Sequence, residues 1–177
     1  IKSPIYCDNR LTLSGHQVRL GVENGMAAIV KENYPEVEAL MGTSTAGIAH
    51  AAITAHLMGL PMGYVRSGAK DHGRKNQIEG KLLPGQKVVV IEDLISTGGS
   101  VLEVVDVLRQ AGAEVLGIAS IFTYGMKKSV DRLAEANVKN VSLTDLDTVA
   151  QVAAAEGYIR PEDQQRLLKF RENPSDE

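Results

Sequence analysis

The run VVVI at residues 88–91 is the feature that most limits how this chain can fold. Four β-branched residues in a row, inside KVVVIED, are typical of a central parallel strand covered on both faces. Such strands occur where helices pack on both sides of a sheet, so the run predicts an α/β fold. Two carboxylates, Glu92 and Asp93, follow the run at once, and LISTGGS comes next.

Helix and strand patterns alternate along the rest of the chain. Ser14 is predicted to cap a helix whose apolar positions run from Val18 to Val30. Strands are predicted at residues 38–42, 62–66, 87–93, 113–122 and 140–143, and further helices at 46–59, 100–112, 127–137, 144–157 and from Pro161. Segment 67–80 is predicted to be a long polar loop and 172–177 a disordered tail. The order predicts one domain over residues 1–177, with an open, mostly parallel sheet and helices on both faces.

Charge and composition exclude several classes of function. With 19 basic and 22 acidic residues and a net charge of -3, the chain has no general electrostatic footprint for nucleic acid. Its apolar runs are far shorter than the roughly 20 residues that cross a bilayer, so no membrane partner is expected. The single cysteine, Cys7, fits a reducing, cytoplasmic location. The chain opens at Ile1 rather than Met, which predicts that an upstream segment is missing.

The segment after strand 87–93 is predicted to bind a phosphate and hydroxyl groups. Ligands of such sheets bind beyond the carboxyl ends of the strands. Small residues at 96–100, between a strand and a helix, let backbone N–H groups approach an anion. The segment lacks the GxxxxGK[ST] and GxGxxG patterns of nucleoside triphosphate and dinucleotide sites. Because Glu92 and Asp93 suit sugar hydroxyls or a hydrated cation, the combination predicts a phosphorylated sugar.

Several segments resemble a known enzyme family. IEDLISTGGS resembles the phosphoribosyl pyrophosphate (PRPP) motif of type I phosphoribosyltransferases. YVRSGAKDHG with NQIEG resembles the mobile loop of orotate phosphoribosyltransferases, and SPIYCDNR, GTSTAGI and SIFTYG resemble other segments of that family. The resemblance covers nearly the whole chain. It implies the type I phosphoribosyltransferase fold, with a small hood formed in part by residues 1–13 and a mobile catalytic loop at 67–80.

The resemblance also implies an activity. The family transfers the phosphoribosyl group of PRPP to orotate, giving orotidine 5'-phosphate and diphosphate, with inversion at the sugar C1. Mg2+ is expected to bind mainly to the pyrophosphate and ribose hydroxyls of the substrate, near Glu92 and Asp93, because it retains several waters. The expected partners are PRPP, orotate and a second copy of the chain, in a symmetric homodimer whose loops reach into the opposite site.

Site residues follow from the matched motifs. The catalytic residues implied are Lys70, His72 and Asp93. Binding of PRPP is implied for Arg66, Lys70, His72, Glu92, Asp93, Leu94, Ile95, Ser96, Thr97, Gly98, Gly99 and Ser100. The pyrophosphate loop is Thr43, Ser44, Thr45 and Ala46, with a non-proline cis peptide expected at Ser44-Thr45. Orotate is expected to contact Tyr6, Ser96 and Thr123.

The chain departs from enteric members of the family at some of these positions. Ser67 stands where those members have a second lysine, which Arg74 or Lys75 could replace, and Thr123 or Tyr124 stands where they have an orotate-binding arginine. Two alternatives stay open: a regulator of this fold that binds nucleotides or RNA, and a transferase for another nucleobase. The polar loop favours an enzyme, because a transferase must close over its charged transition state.

Overall fold

A computed structural model describes residues 5–68 and 77–172 of the chain, and that part contains one six-stranded sheet. The strands are β1 (Ala39–Thr43), β2 (Met62–Val65), β3 (Ile78–Glu79), β4 (Lys87–Ile95), β5 (Glu114–Thr123) and β6 (Asn140–Asp145). Their order is β3-β2-β1-β4-β5-β6. Every neighbouring pair is parallel except β2 and β3, so the prediction of a mostly parallel sheet is confirmed.

Helices cover both faces of this sheet, as predicted. A short 3-10 helix (Asn9–Ser14) precedes α1 (His16–Asn33), α2 (Ala46–Met58), α3 (Gly99–Gln110), α4 (Lys127–Glu135), α5 (Leu146–Ala155) and α6 (Pro161–Glu172). Helices α1 and α2 pack on one face of the sheet, and α3 packs on the other. Within the described ranges, no helix is long and apolar enough to cross a membrane.

The central strand β4 explains why the VVVI run needs apolar residues at every position. Val88 and Val90 pack into the cluster beneath α3, whereas Val89 and Ile91 pack into the cluster beneath α1 and α2. All four side chains are fully buried. Burying one such side chain contributes roughly 1.5–3 kcal/mol, so this strand is a main source of core stability.

A third apolar cluster lies beyond the carboxyl end of β5. Its buried members are Phe122, Tyr124, Met126, Leu146 and Phe170, and Ile5, Cys7 and Leu94 pack against them. The rings of Phe122 and Tyr124 meet edge to face, with centroids 5.0 Å apart. The cluster thus fixes the N-terminal segment (residues 5–10) beside the end of the sheet.

Two local predictions were wrong. Ser14 does not cap α1: it ends the 3-10 helix, and Gly15 occupies the cap position without a side-chain hydrogen bond. Segment 67–80 is not a loop throughout, because Ile78 and Glu79 form strand β3. Ile78 pairs with Val65 and is buried, so tertiary packing decides the conformation of this polar stretch.

Candidate active site

The strand order creates a crevice between β1 and β4. From β1 the chain continues to β2 on one side, and from β4 it continues to β5 on the other. Ligands of parallel sheets bind at such a reversal of strand order. A cavity of about 610 Å³ lies there, and its wall includes residues that follow β1, β2, β4 and β5.

The two acidic residues of β4 differ in their surroundings. The Glu92 side chain is buried, and its Oε1 accepts hydrogen bonds from Thr43 Oγ1 at 2.8 Å and from the backbone N–H of Asp93 at 2.9 Å. Burial, followed by the neighbouring carboxyl of Asp93, raises the pKa of Glu92 to about 8. Asp93 is only half-buried, and both residues line the cavity. The pair can therefore receive hydroxyl groups or a cation, whose charge would favour the ionised form of Glu92.

The β4–α3 connection has the form of an anion site. Gly98 is left-handed, with φ of 79°, and caps α3 without a side-chain hydrogen bond. The first N–H groups of α3 are therefore not engaged by a capping side chain and suit an anion at the helix N-terminus. Ser96 and Ser100 line the cavity, and Thr97 lines an adjacent cavity of about 880 Å³.

Two neighbours fix the backbone of this connection. Arg132 of α4 donates from Nη1 to the carbonyl of Thr97 at 3.3 Å, a contact that no sequence pattern predicted. The Ile95 carbonyl accepts from the Tyr124 N–H at 3.0 Å, and the Ile95 side chain is buried in the core. Of the predicted PRPP residues, Ile95 is therefore part of the core and does not line the cavity.

The β1–α2 connection forms the opposite wall. All four residues predicted as the pyrophosphate loop line the cavity: Thr43, Ser44, Thr45 and Ala46. The Ser44-Thr45 peptide is cis, as predicted. The Ser44 hydroxyl donates to the Val65 carbonyl at 2.8 Å. At Gly47 a Cβ atom would lie 2.5 Å from the Ile91 carbonyl oxygen, so only glycine lets α2 begin this close to β4.

The end of β2 supplies a cation. Arg66 lines the cavity, and its Nε lies 2.9 Å from Glu79 Oε1 on β3. The Arg66 N–H also donates to the Gln77 carbonyl at 2.8 Å. The sequence did not single out Glu79, because its position opposite Arg66 depends on the β2–β3 pairing. The predicted residues Lys70 and His72, with Arg74 and Lys75, lie outside the described residues.

The N-terminal segment closes the side of the cavity near β5. Tyr6 is 79% exposed and lines the cavity, as do Arg10 and Tyr124, whereas Thr123 does not. The Thr123 hydroxyl instead accepts from the Gly125 N–H at 3.1 Å. Of the two residues considered in place of an orotate-binding arginine, Tyr124 is therefore the one at the cavity.

Asn9 joins this segment to the acidic strand. Its side-chain amide donates to the Asp93 carbonyl at 2.8 Å, and its side-chain oxygen accepts from the Cys7 thiol at 3.2 Å. Burial, assisted by the charges of Asp93 and Asp8, raises the pKa of the Cys7 thiol, which keeps its proton available for this bond. Asn9 belongs to the SPIYCDNR stretch, but the sequence alone did not reveal its contact with Asp93.

Comparison with known proteins identifies the family. The family model described as the phosphoribosyl transferase domain matches residues 14–156. The whole chain is 56% identical, over 177 residues, to the orotate phosphoribosyltransferase of Bacillus cytotoxicus and covers 84% of that protein. The chain belongs to the orotate phosphoribosyltransferase family.

Solved structures of orotate phosphoribosyltransferases have the same fold. The enzyme from Aeropyrum pernix is 28% identical and superposes with a TM-score of 0.78, covering 90% of this chain and 87% of that one. The Mycobacterium tuberculosis H37Rv enzyme in complex with PRPP is 25% identical, with a TM-score of 0.67 and coverage of 80% and 81%. The protein has the type I phosphoribosyltransferase fold, as its motifs implied.

Proposed function

We propose that the cavity between β1 and β4 is the active site for transfer of the phosphoribosyl group of PRPP to orotate, which forms orotidine 5'-phosphate and diphosphate. One observation supports this most directly: Glu92 and Asp93 share a cavity wall with the connection that opens α3. Hydroxyl acceptors and an anion site side by side suit a phosphorylated ribose. The single cysteine supports a reducing, cytoplasmic setting for the reaction.

The two halves of the β4–α3 connection bind different parts of the phosphosugar. Glu92 and Asp93 hold the ribose 2'- and 3'-hydroxyls, and the N–H groups of residues 96–100 hold the 5'-phosphate. The Asn9 contact with the Asp93 carbonyl supports this arrangement, because it fixes the backbone next to the Asp93 carboxylate. The ribose is thereby oriented with C1 toward the base side of the cavity.

The leaving group binds on the β1 and β2 side. The loop of residues 43–46 surrounds the pyrophosphate, and Arg66 donates to it. Lys70 and His72, outside the described residues, supply the remaining donors by resemblance to the family. The C1–oxygen bond breaks with its electron pair on pyrophosphate, while a ring nitrogen of orotate forms the new bond to C1 and its proton passes to the pyrophosphate oxygen or to water. Donors aimed at the oxygen that gains charge lower the barrier.

Magnesium fits this site as a cation carried by the substrate. Glu92 and Asp93 line the cavity, and no group of three or more potential metal-ligating side chains occurs among the residues that the structure describes. Glu92 and Asp93, together with substrate oxygens and waters, would supply the oxygen ligands that Mg2+ prefers. When bound, the cation neutralises charge on the pyrophosphate and favours the ionised form of Glu92.

A panel of acceptor bases tests the activity. PRPP and Mg2+ are supplied with orotate, uracil, adenine or hypoxanthine, and formation of nucleotide is measured at steady state. We expect turnover with orotate and at least about 100-fold lower kcat/KM with each of the other bases, because a site built for a polar group strongly rejects analogues that lack it. An enzyme that prefers another base, or that uses none, would contradict the proposed function. The exposed α3 variant Asp106→Asn serves as a surface control.

We also propose a symmetric homodimer with loops shared between sites, as the family resemblance implies. Two variants, Lys70→Ala and Asp93→Asn, are mixed under conditions in which subunits exchange. Half of the dimers are then mixed, and each has one site with both residues intact, so roughly a quarter of the wild-type activity should return. Recovery near zero with proven exchange would show that Lys70 serves its own subunit.

A further inference from the structure

Helix α4 packs against the β4–α3 connection. At Gly98 a Cβ atom would lie 3.6 Å from Cα and Cβ of Ser129, in the first turn of α4. At Gly99 a Cβ atom would lie 3.3 Å from Arg132 Nη1. Arg132 and Thr97 line the adjacent cavity of about 880 Å³, and neither lines the candidate active site. Arg132 therefore approaches the connection from outside that site.

The guanidinium of Arg132 is directed at the backbone of this connection. Its Nη1 donates to the Thr97 carbonyl at 3.3 Å, between residues 35 positions apart. Within residues 5–68 and 77–172 no carboxylate forms an ion pair with this half-buried side chain, although Asp131 and Glu135 line the same cavity. Its positive charge is thus not compensated by an ion pair there.

The bond to Thr97 also fixes the direction of the next N–H group. Among the described residues the one cis peptide is Ser44-Thr45, so the Thr97-Gly98 peptide is trans. In a planar trans peptide the C=O and N–H bonds point in opposite directions. Because the carbonyl faces Arg132, the Gly98 N–H points away from α4. In the part of the chain that the structure describes, this N–H has no hydrogen-bond partner.

The N–H groups at the start of α3 extend this set of donors. Gly98 caps the helix without a side-chain hydrogen bond, and its carbonyl accepts from the Leu102 N–H at 3.2 Å. The N–H groups of α3 before Leu102 have no carbonyl of their own helix to bond. An anion at this end accepts from several N–H groups together, and the nearby charge of Arg132 has the sign of the helix N-terminus.

On the basis of the proposed function, we infer that Arg132 is a positioning residue for the 5'-phosphate. It holds the Thr97 carbonyl, and thereby keeps the Gly98 N–H directed at the phosphate of PRPP and of the nucleotide product. Arg132 touches no reacting atom. Helix α4 follows β5, whereas the residues assigned to pyrophosphate follow β1 and β2, on the other side of β4. Its effect should therefore be confined to ligands that carry the 5'-phosphate.

The test compares the two parts of PRPP, ribose 5-phosphate and diphosphate, as separate ligands. Arg132→Ala and Arg132→Lys are compared with the matched control Arg109→Ala. Arg109 of α3 donates from Nη1 to the Ala136 carbonyl at 2.8 Å and from Nη2 to the Asn137 carbonyl at 3.2 Å, so it joins α3 to the other end of α4. Dissociation constants are measured by calorimetry with Mg2+ present, and kcat and KM for PRPP at steady state. Urea denaturation shows that each variant is folded.

Arg132→Ala should weaken binding of ribose 5-phosphate roughly 10-fold and raise KM for PRPP by a similar factor, the size expected when a hydrogen bond to a charged group is impaired. The affinity for diphosphate and kcat should stay within about twofold. Arg132→Lys keeps the charge and a donor, so it should recover part of the loss. Arg109→Ala should bind both ligands like the wild type, even if its unfolding free energy falls.

Two results overturn the inference: a folded Arg132→Ala protein with unchanged affinity for ribose 5-phosphate, or an equal loss of affinity for diphosphate. A wild type that binds ribose 5-phosphate but has no turnover with orotate instead contradicts the proposed function, and leaves the effect of Arg132 on the phosphate measurable.

Discussion

Two glutamates are buried in the part of the chain that the structure describes, and their partners differ. Glu23 lies between α1 and α2 at 0% exposure and accepts hydrogen bonds from His50 Nδ1 at 2.5 Å and Thr54 Oγ1 at 2.9 Å. Glu92 lies at the cavity at 6% exposure and accepts from Thr43 and the Asp93 N–H. Both have a threonine donor, but only Glu23 faces a side chain that can carry positive charge.

The difference separates a structural carboxylate from a binding one. Both oxygens of the Glu23 carboxylate have a side-chain partner within the protein, His50 Nδ1 and Thr54 Oγ1. Glu92 has a second carboxyl beside it in place of a cation, and its pKa is raised to about 8 chiefly by burial. Its charge is therefore compensated only when a ligand or cation arrives, which is the property that a phosphosugar site requires.

The largest effect on the free energy of unfolding is expected at the pair formed by Glu23 and His50. Glu23→Ala removes the acceptor of both His50 and Thr54, and loss of one member of a buried pair typically costs about 3–5 kcal/mol. We expect the free energy of unfolding, measured by urea denaturation, to fall by that amount. The activity per folded molecule should stay near the wild-type value.

A double variant sharpens this prediction. Replacing both partners, Glu23→Leu with His50→Leu, leaves only the buried Thr54 hydroxyl without its acceptor and no unpaired ionisable group, so its cost should be well below the sum of the two single substitutions. Costs that simply add would show that the two side chains do not stabilise each other.

The opposite pattern is expected for Glu92. Glu92→Gln keeps the shape but cannot ionise, so it should lower kcat/KM for PRPP roughly 100-fold, about 2.7 kcal/mol. Its free energy of unfolding at pH 7 should equal or exceed that of the wild type, because folding of the wild type at this pH must protonate the Glu92 carboxyl, whereas glutamine needs no proton. Steady-state kinetics and urea denaturation provide the two readings. A variant that is unstable but fully active would reverse the proposed roles of the two glutamates.

The sequence predicted the site of Glu92 better than the site of Glu23 for a physical reason. Strand β4, its carboxylates and the turn into α3 are contiguous, so a local pattern contains them all. The family resemblance added the cis peptide at Ser44-Thr45, which the structure confirms.

Contacts between distant segments were not predictable in this way. Glu23 and His50 are 27 positions apart, and their meeting depends on how α1 packs on α2. The two-residue strand β3 likewise exists through its pairing with β2, and Asn9 reaches Asp93 across 84 positions. A single sequence carries no periodic signal for such pairs, so Arg10 and Glu79 emerged only from the structure.

The pH dependence of stability provides a smaller but specific test. The pKa of Glu92 is about 8 in the folded protein and 4.5 in its ordinary state, so the folded chain binds this proton more tightly. Stability from Glu92 is thus present at low pH and is lost as pH rises, by up to about 1.4 kcal/mol between pH 6 and 7, with no further loss above the folded pKa. The difference between wild type and Glu92→Gln in urea denaturation isolates this contribution. If the unfolding free energies of the two proteins changed equally with pH, the raised pKa of Glu92 would be contradicted.

Effects of similar, modest size are expected at the two threonines that serve these glutamates. Thr54→Val removes one donor to Glu23 and should cost about 1–2 kcal/mol of unfolding free energy at pH 7. Thr43→Val removes the bond that lowers the pKa of Glu92, so that pKa should rise further. The cost of Thr43→Val should therefore be about 1 kcal/mol larger at pH 9, where the carboxylate is ionised, than at pH 6. The variant should also need higher pH for tight PRPP binding, which calorimetry can follow. A cost for Thr43→Val that is the same at both pH values would mean that its hydroxyl does not distinguish the two forms of Glu92.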